Sequence, residues 1–182
     1  GLGDVYKRQR LCHASSVAAL LENIGSGAVT ASFAECRNAE AIIVIGANPT
    51  VNHPVAATFI KNAAQRGARL YILDPRGQHL DRYATESLRF SPGSDVAMLN
   101  AMINVIITEE LYDADYVAKQ TEGFEDLKAR TAHTTPEAMA PICGVDADTL
   151  RRVARGYATA GSAMIFWGMG LSLIHISEPT RR

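Results

Sequence analysis

The chain has 182 residues, of which 47% are hydrophobic, and its 18 basic and 19 acidic side chains give a formal net charge of −1. This composition provides enough apolar material for a buried core, and the basic residues form no stripe of the kind that nucleic-acid-binding proteins carry. No run of about 18 apolar residues occurs, so no membrane span is predicted. The three cysteines show neither a CxxC spacing nor an even number, so reduced thiols and a cytoplasmic location are favoured over disulfides or a zinc site.

The two ends of the chain are related to each other. One possible codon sequence for Gly1–Gln9, read on its opposite strand, translates in order as Leu171–Pro179. A single oligonucleotide joined in opposite orientations to both ends of a DNA fragment produces this pattern, and the string resembles a transposase-type sequencing adapter. We therefore expect residues 1–9 and 171–182 to be non-native, and residues 10–170 to be an internal fragment of a longer natural protein.

A Cys–His pair, Cys12 and His13, precedes the first predicted helix, residues 16–22, for which Ser15 or Ser16 is a suitable N-terminal cap. A thiol at a helix N-terminus has increased thiolate character, and a thiolate is a nucleophile or a ligand for a soft metal. A neighbouring imidazole can accept a proton near neutral pH. A single Cys–His pair is more often structural, so its spacing alone leaves both interpretations open.

Strands and helices alternate along the rest of the chain. Short apolar runs predict β-strands at residues 41–45, 69–73, 86–90 and 163–167, and the first and last runs are so continuously apolar that burial on both faces is expected. Longer helices are predicted over residues 54–66 and over 95–109, which has the clearest apolar stripe. Shorter helices are predicted near residues 113–119, 123–130, 136–141 and 146–157, and between the second and third strands. This order predicts a doubly wound α/β fold, with a mostly parallel sheet and helices on both faces.

Polar or glycine-rich residues follow each predicted strand, where ligands bind on sheets of this type. Gly46 and Gly93 would let a ligand approach the backbone closely, and Arg76 could pair with a phosphate. Asp74, at the end of the second strand, is suited to ribose hydroxyls or a base edge. Ordinary turns explain any one of these loops, but four on one edge favour a ligand site. No GxGxxG follows the first strand, so a simple NAD-binding domain and a P-loop are both disfavoured.

An ordered set of short motifs resembles one known family. Residues 10–17 (RLCHASSV) resemble the active-site segment of molybdenum- or tungsten-dependent formate dehydrogenases. Further matching segments are Ser26-Gly27-Ala28, Gly46-Ala47-Asn48-Pro49, His53-Pro54, Asp74-Pro75-Arg76, Pro92-Gly93-Ser94-Asp95, Leu99-Asn100-Ala101-Met102, Thr121-Glu122-Gly123-Phe124 and Trp167-Gly168-Met169-Gly170. As an ordered set they are similar to the bis-molybdopterin guanine dinucleotide oxidoreductases over the whole of residues 10–170.

The resemblance implies specific roles. Cys12 stands where the family places its cysteine or selenocysteine ligand to the metal, and His13 stands where formate dehydrogenases keep a histidine that helps to handle the proton. The strand-end loops would hold the guanosine diphosphate arms of the cofactor through six residues: Gly46, Asn48, Asp74, Arg76, Gly93 and Asp95.

The resemblance also implies a reaction and partners. Formate would be oxidised to carbon dioxide at a molybdenum or tungsten bis-molybdopterin guanine dinucleotide centre. The electrons would pass to a [4Fe–4S] cluster, whose cysteines are expected upstream of this fragment, and then to iron–sulfur or flavin/NAD partner subunits. The fragment alone is not expected to turn over formate.

Three other interpretations compete with this one. A nitrate reductase or another oxidoreductase on the same scaffold is disfavoured by His13, because those enzymes usually have a different residue after the cysteine. The molybdopterin-fold scaffold of respiratory complex I, which holds no pterin, has no need of a Cys12–His13 pair. The nucleotide-binding middle domain of a thiamine-dependent enzyme has similar glycine-rich strand ends but also no use for that pair.

Overall fold

The computed structural model describes residues 14–27 and 31–172. In this part of the chain four parallel strands form one sheet in the order β3-β2-β1-β4; they are β1 (Ala41–Ile45), β2 (Arg69–Leu73), β3 (Glu86–Leu88) and β4 (Ala163–Trp167). The chain winds outward from β1 in both directions, so the predicted doubly wound α/β fold is confirmed. The direction of winding reverses between β1 and β4, and the crevice outside the carboxyl ends of these strands is where such sheets bind ligands.

Helices cover both faces of the sheet. They are α1 (Ala14–Ile24), α2 (Pro49–Asn52), α3 (Pro54–Gln65), α4 (Asp95–Thr108), α5 (Ala114–Gln120), α6 (Phe124–Thr131), α7 (Pro136–Cys143), α8 (Ala147–Ala158) and α9 (Met169–Ser172), with 3₁₀ turns at Phe33–Arg37 and His79–Tyr83. Three of the helices begin with side-chain caps that lie within the described residues, since Asp113, Thr135 and Asp146 each accept a hydrogen bond from a backbone N–H three residues later. Among the described helices, none has both the length and the apolar content that a membrane crossing requires.

The core has two layers because side chains alternate across each strand. On one face, Ile43 and Tyr71 belong to a buried cluster that includes residues of α4, α7 and α8. On the other face, Ile42 and Leu70 pack in a second cluster with Ile60 of α3 and with Cys36. Every residue of β1 is buried, as its continuous apolar run predicted.

Two predictions about burial were wrong. The strand β4 is only partly buried, and Ile165 is 44% exposed, because within the described residues β4 pairs with β1 alone and forms an edge of the sheet. The helix α4 does not have the clearest apolar stripe, since α7 and α8 pack against it and bury residues around most of its circumference, including Asn104. The clearer division between an apolar and a polar face belongs to α8, whose buried residues include Leu150 and Val153.

Two boundaries also differ from the prediction. The third strand ends at Leu88 rather than at residue 90. The first helix begins at Ala14, so Ser15 and Ser16 lie inside it and neither is its N-terminal cap. Ser16 instead accepts a hydrogen bond from the indole N–H of Trp167, at 3.0 Å.

Candidate functional site

The carboxyl edge of the sheet contains a cavity of about 840 Å³ at the reversal between β1 and β4. This volume lies within the range typical of cofactor sites. All six residues predicted to bind the cofactor line this cavity: Gly46, Asn48, Asp74, Arg76, Gly93 and Asp95. The sequence prediction that polar strand ends converge on one edge is therefore confirmed by their placement.

Glycines give the cavity its shape through close contact between two loops. A Cβ atom on Gly168 would lie 2.7 Å from the carbonyl oxygen of Gly46, and one on Gly170 would lie 2.8 Å from the Cα of Gly46. The loops that follow β1 and β4 can approach this closely only because both lack side chains there. Gly93 has φ of +85° and faces open space, so its backbone is accessible to a ligand in the cavity.

Asp74 organises the loop that follows β2. Its Oδ1 accepts hydrogen bonds from the backbone N–H groups of Arg76 (2.8 Å) and Gly77 (3.0 Å), which fixes the turn. The residue is only 9% exposed. Its Oδ2 accepts no hydrogen bond from the described residues, so one carboxylate oxygen shapes the loop and the other is available to a ligand donor.

The start of α4 brings a second carboxylate to the cavity. Asp95 is 1% exposed and its Oδ1 accepts a hydrogen bond from the Val96 N–H at 2.8 Å. Ser94, at the N-cap position, donates its hydroxyl to the carbonyl of Ser91 instead of capping the helix. The buried carboxylate makes this helix end unsuited to a phosphate and suited to O–H or N–H donors of a ligand.

The positive charge of the cavity comes from Arg76, which is exposed and forms no ion pair within the described residues. Asn48 lies at the start of α2, where its Oδ1 accepts a hydrogen bond from the Thr50 hydroxyl at 2.6 Å. His53 also lines the cavity, at the start of α3. A ligand with one anionic part beside Arg76 and several hydrogen-bond donors beside the two carboxylates fits this arrangement.

Aromatic side chains line the cavity in a way that the sequence did not reveal. The rings of Phe33 and Phe166 stack with centroids 5.6 Å apart, and Phe90 and Trp167 lie at the same cavity. Phe33 lies in a 3₁₀ turn that was not predicted, so only its aromatic character in a polar stretch could have indicated it.

Cys12 and His13 lie outside the described residues. Cys36 and Cys143 are fully buried, and burial raises the pKa of the Cys36 thiol, which keeps it protonated. Among the residues that the structure describes, no three His, Cys, Asp or Glu side chains lie together in the manner of a metal site.

Comparison with known proteins decides the family. Residues 5–174 match the sequence profile described as Molybdopterin oxidoreductase. The chain belongs to the molybdopterin oxidoreductase family. Formate dehydrogenase H of Escherichia coli is 40% identical to it over the whole chain, which corresponds to 26% of that protein.

Two further relatives define the range of the likeness. A nitrate reductase of Symbiobacterium thermophilum is 33% identical to this chain. The alignment covers 94% of this chain and 24% of the nitrate reductase. The solved structure of acetylene hydratase from Pelobacter acetylenicus superimposes with a TM-score of 0.77 at 31% identity, covering 92% of this chain and 23% of that one. The chain thus spans about a quarter of the length of the curated relatives it matches. Since the family includes proteins named for different reactions, membership does not by itself identify the substrate.

The molybdopterin oxidoreductase family also explains the lack of a GxGxxG motif after β1. The cavity collects its polar groups from four strand-end loops, whereas a simple dinucleotide fold binds the pyrophosphate through the glycine-rich first loop. Arg76 suits an anionic group, and the carboxylates of Asp74 and Asp95 suit hydroxyl and N–H donors, so the cavity fits a cofactor that carries both kinds of group.

Proposed function

We propose that the complete protein is the catalytic subunit of a formate dehydrogenase. It would oxidise formate to carbon dioxide, releasing two electrons and one proton, with a bound bis-molybdopterin guanine dinucleotide that carries molybdenum or tungsten. The 40% identity to formate dehydrogenase H, against 33% to the nitrate reductase, supports this substrate. The histidine that follows Cys12 supports it independently, because a positioned imidazole can accept the proton released near neutral pH.

The observation that carries the proposal is the convergence of the predicted binding residues in one cavity at the β1–β4 reversal. Arg76 would bind the diphosphate of one cofactor arm. The free oxygen of Asp74 and the carboxylate of Asp95 would accept hydrogen bonds from its nucleoside, and Gly93 would let the arm approach the backbone. Gly46 lines the same cavity, but the side where its Cβ would lie faces the backbone of Gly170, so its part is to shape the loop.

Cys12 would be the protein ligand of the metal, and His13 would hold the proton that formate releases. When bound, the metal centre supplies the two-electron acceptor. A thiolate suits this role because molybdenum and tungsten in this chemistry favour soft ligands, and a segment leading into a helix start is where thiolates are stabilised. Electrons would leave through a [4Fe–4S] cluster to partner subunits that carry iron–sulfur, flavin or NAD groups, in a cytoplasmic assembly.

The test uses the complete enzyme, purified with its cofactor. Formate-dependent reduction of a viologen dye should be lost in Cys12→Ala while guanine nucleotide released by acid remains at its wild-type amount. Cys36→Ala, which removes a thiol from the core, is the matched control and should retain turnover. Full formate activity in Cys12→Ala would overturn the ligand assignment. Reduction of nitrate by reduced dye, without formate oxidation, would favour a nitrate reductase instead.

We also propose that residues 10–170 are the native portion of the chain. Sequencing outward from Arg10 and Gly170 in the source DNA should replace residues 1–9 and 171–182 with other sequence, including a cysteine-rich iron–sulfur segment upstream. Stop codons directly after residue 182 would contradict this proposal.

A further inference from the structure

Two consecutive carbonyl groups of the loop that follows β1 are held by different parts of the chain. In this β1 loop, residues 46–48, the Gly46 carbonyl accepts a hydrogen bond from the backbone N–H of Gly170, beyond β4, at 2.9 Å. The Ala47 carbonyl accepts one from the side-chain Nε2 of Gln78, at 2.8 Å and 31 residues away in sequence. A backbone donor is present in every residue except proline, whereas the second bond requires the amide of Gln78.

Gln78 ends the loop that follows β2, residues 74–78, which we call the β2 loop. This loop also carries the Asp74 carboxylate and Arg76, both of which line the cavity. The turn between them is fixed, since Asp74 accepts the backbone N–H of Arg76. On the other side of the bond, Ala47 is followed directly by Asn48, another residue of the cavity. The bond from Gln78 therefore joins two loops that present predicted cofactor-binding groups.

Gln78 is itself anchored through Asp81. The backbone N–H of Gln78 donates to Oδ2 of Asp81 at 2.8 Å. The same carboxylate accepts the hydroxyl of Ser87, which lies in β3, and the guanidinium of Arg89, each at 2.8 Å. A polar chain thus runs from the sheet through Asp81 and Gln78 to the Ala47 carbonyl. Because Gln78 is tied to the sheet in this way, its amide is a fixed donor.

Ala47 has little room on its other side. A Cβ atom on Gly168 would lie 2.8 Å from the Cβ of Ala47, so the chain after β4 packs closely against this residue. Ala47 therefore lies between Gly168 and the Gln78 amide. Loss of the bond to Gln78 would release the β1 loop only on the side of the β2 loop, and the adjoining Asn48 would move with it.

We propose that Gln78 is a positioning residue for the cofactor cavity and acts through its hydrogen bond to the Ala47 carbonyl. By fixing the β1 loop relative to the β2 loop, it holds Asn48 in place beside Asp74 and Arg76 before a ligand binds. A site whose loops are already ordered binds more tightly, because less conformational freedom is lost on binding. This inference rests on the proposed function, in which the cavity holds a guanosine diphosphate arm.

The test uses the complete protein produced without cofactor. Gln78→Met keeps a side chain of similar length and removes the donor. Gln78→Glu keeps the shape but places a carboxylate against the Ala47 carbonyl, and it provides a second route to the answer if the methionine variant folds poorly. Gln65→Met is the matched control, because Gln65 is an exposed residue of α3 whose side chain forms no hydrogen bond within the described residues.

The first readout is amide hydrogen exchange of the β1 loop, which requires no ligand. The backbone N–H groups of Val51 and Asn52 both donate to the Asn48 carbonyl, at 3.1 Å, so their protection reports whether this segment is ordered. Their exchange should be about fivefold faster in Gln78→Met, the factor expected from the loss of one ordinary hydrogen bond. Exchange in Gln65→Met should match that of the wild type.

The second readout is the affinity for guanosine diphosphate, measured by titration calorimetry. The Kd should rise about fivefold in Gln78→Met and at least as much in Gln78→Glu, because the loop must then be ordered during binding. Gln65→Met should bind as the wild type does. A purely structural role for Gln78 would lower Tm and leave the affinity of the folded protein unchanged.

The two proposals fail in different ways. If the wild type does not bind guanosine diphosphate, the cofactor arm assigned to this cavity is wrong, while hydrogen exchange still decides whether Gln78 orders the β1 loop. If the wild type binds and Gln78→Met equals Gln65→Met in affinity or in exchange, the positioning role is overturned and the proposed function is untouched.

Discussion

Gly168 lies directly against Gly46, so that a Cβ atom on Gly168 would come within 2.7 Å of the Gly46 carbonyl oxygen. The backbone of Gly168 also donates a hydrogen bond to the carbonyl of Ile45 at 3.1 Å, which extends the β1–β4 pairing into the two loops. The reversal point that forms the cavity is therefore built from backbone atoms in contact.

Gly168→Ala should consequently destabilise the complete protein and reduce its cofactor content. The added methyl group would collide with the backbone of the β1 loop, which cannot move aside as a flexible side chain could. An overpacking cost of about 3 kcal/mol is expected. Gly123→Ala is the control, because Gly123 has φ of +74° but faces open space, and its cost should be about 1 kcal/mol. Thermal unfolding and released guanine nucleotide measure both effects, and equal losses in the two variants would contradict the close-contact explanation.

A glycine also makes room for a neighbour in the core, where Gly156 lies against the side chain of Tyr71. A Cβ atom on Gly156 of α8 would lie 1.9 Å from the hydroxyl oxygen of Tyr71, which is 2% exposed on β2. Gly156→Ala should therefore lower stability by about 2 kcal/mol, even though alanine favours helices. Adding Tyr71→Phe removes the hydroxyl, the nearer of two atoms in conflict, and leaves Cζ at 2.9 Å, so it should restore part of the loss, which a double-mutant cycle of thermal unfolding would measure. A second substitution that only adds its own destabilisation would show that the conflict lies elsewhere.

The sequence predicted the sheet and the convergence of its polar ends, but not the contacts that depend on distant residues. The run Ala41–Ile45 is apolar at every position because it is buried on both faces, and this signal is local. Asn104 of α4 is buried because neighbouring helices pack over it, and its amide donates a hydrogen bond to the Thr131 carbonyl. No local pattern in the sequence indicates this burial. The bond from Trp167 to Ser16 joins residues 151 apart, so no local pattern could indicate it.

An ion pair between Glu109 and Arg155 should make stability depend on pH. Arg155 donates to both carboxylate oxygens, at 2.7 and 2.8 Å, and this hydrogen bonding holds the pKa of Glu109 below its ordinary value. A lowered pKa in the folded state gives a stabilisation that is present above the unfolded-state value, about 4.3, and lost as the pH falls through the folded-state pKa. The Tm difference between wild type and Glu109→Gln should therefore be present at neutral pH and vanish in acid.

Glu125→Gln is a suitable control for this measurement, since Glu125 forms no ion pair within the described residues. Its Tm difference should stay small at every pH. Because both partners in the Glu109–Arg155 pair are partly exposed, added salt should also reduce the wild-type advantage. A Glu109→Gln difference that persists unchanged in acid would mean that packing, not the charge, is responsible.

Asp74 offers a way to separate the shape of the cavity from its ligand contact. Its Oδ1 holds the turn through the Arg76 and Gly77 amides, and its other oxygen is available to a ligand. Asp74→Ala removes both functions, so cofactor content and Tm should both fall. The free energy of unfolding should decrease by about 1–3 kcal/mol. Asp74→Asn keeps an acceptor oxygen for the turn but replaces the second oxygen with an NH₂ donor. Tm should therefore stay near wild type while cofactor content falls, because a ligand donor would then face another donor.

Mass spectrometric assay of molybdopterin and guanine nucleotide in the purified complete enzyme, together with thermal unfolding, separates the loss of cofactor from the loss of stability. Normal cofactor content in both variants would remove Asp74 from the binding site, whereas a loss in Asp74→Ala alone would restrict it to shaping the loop.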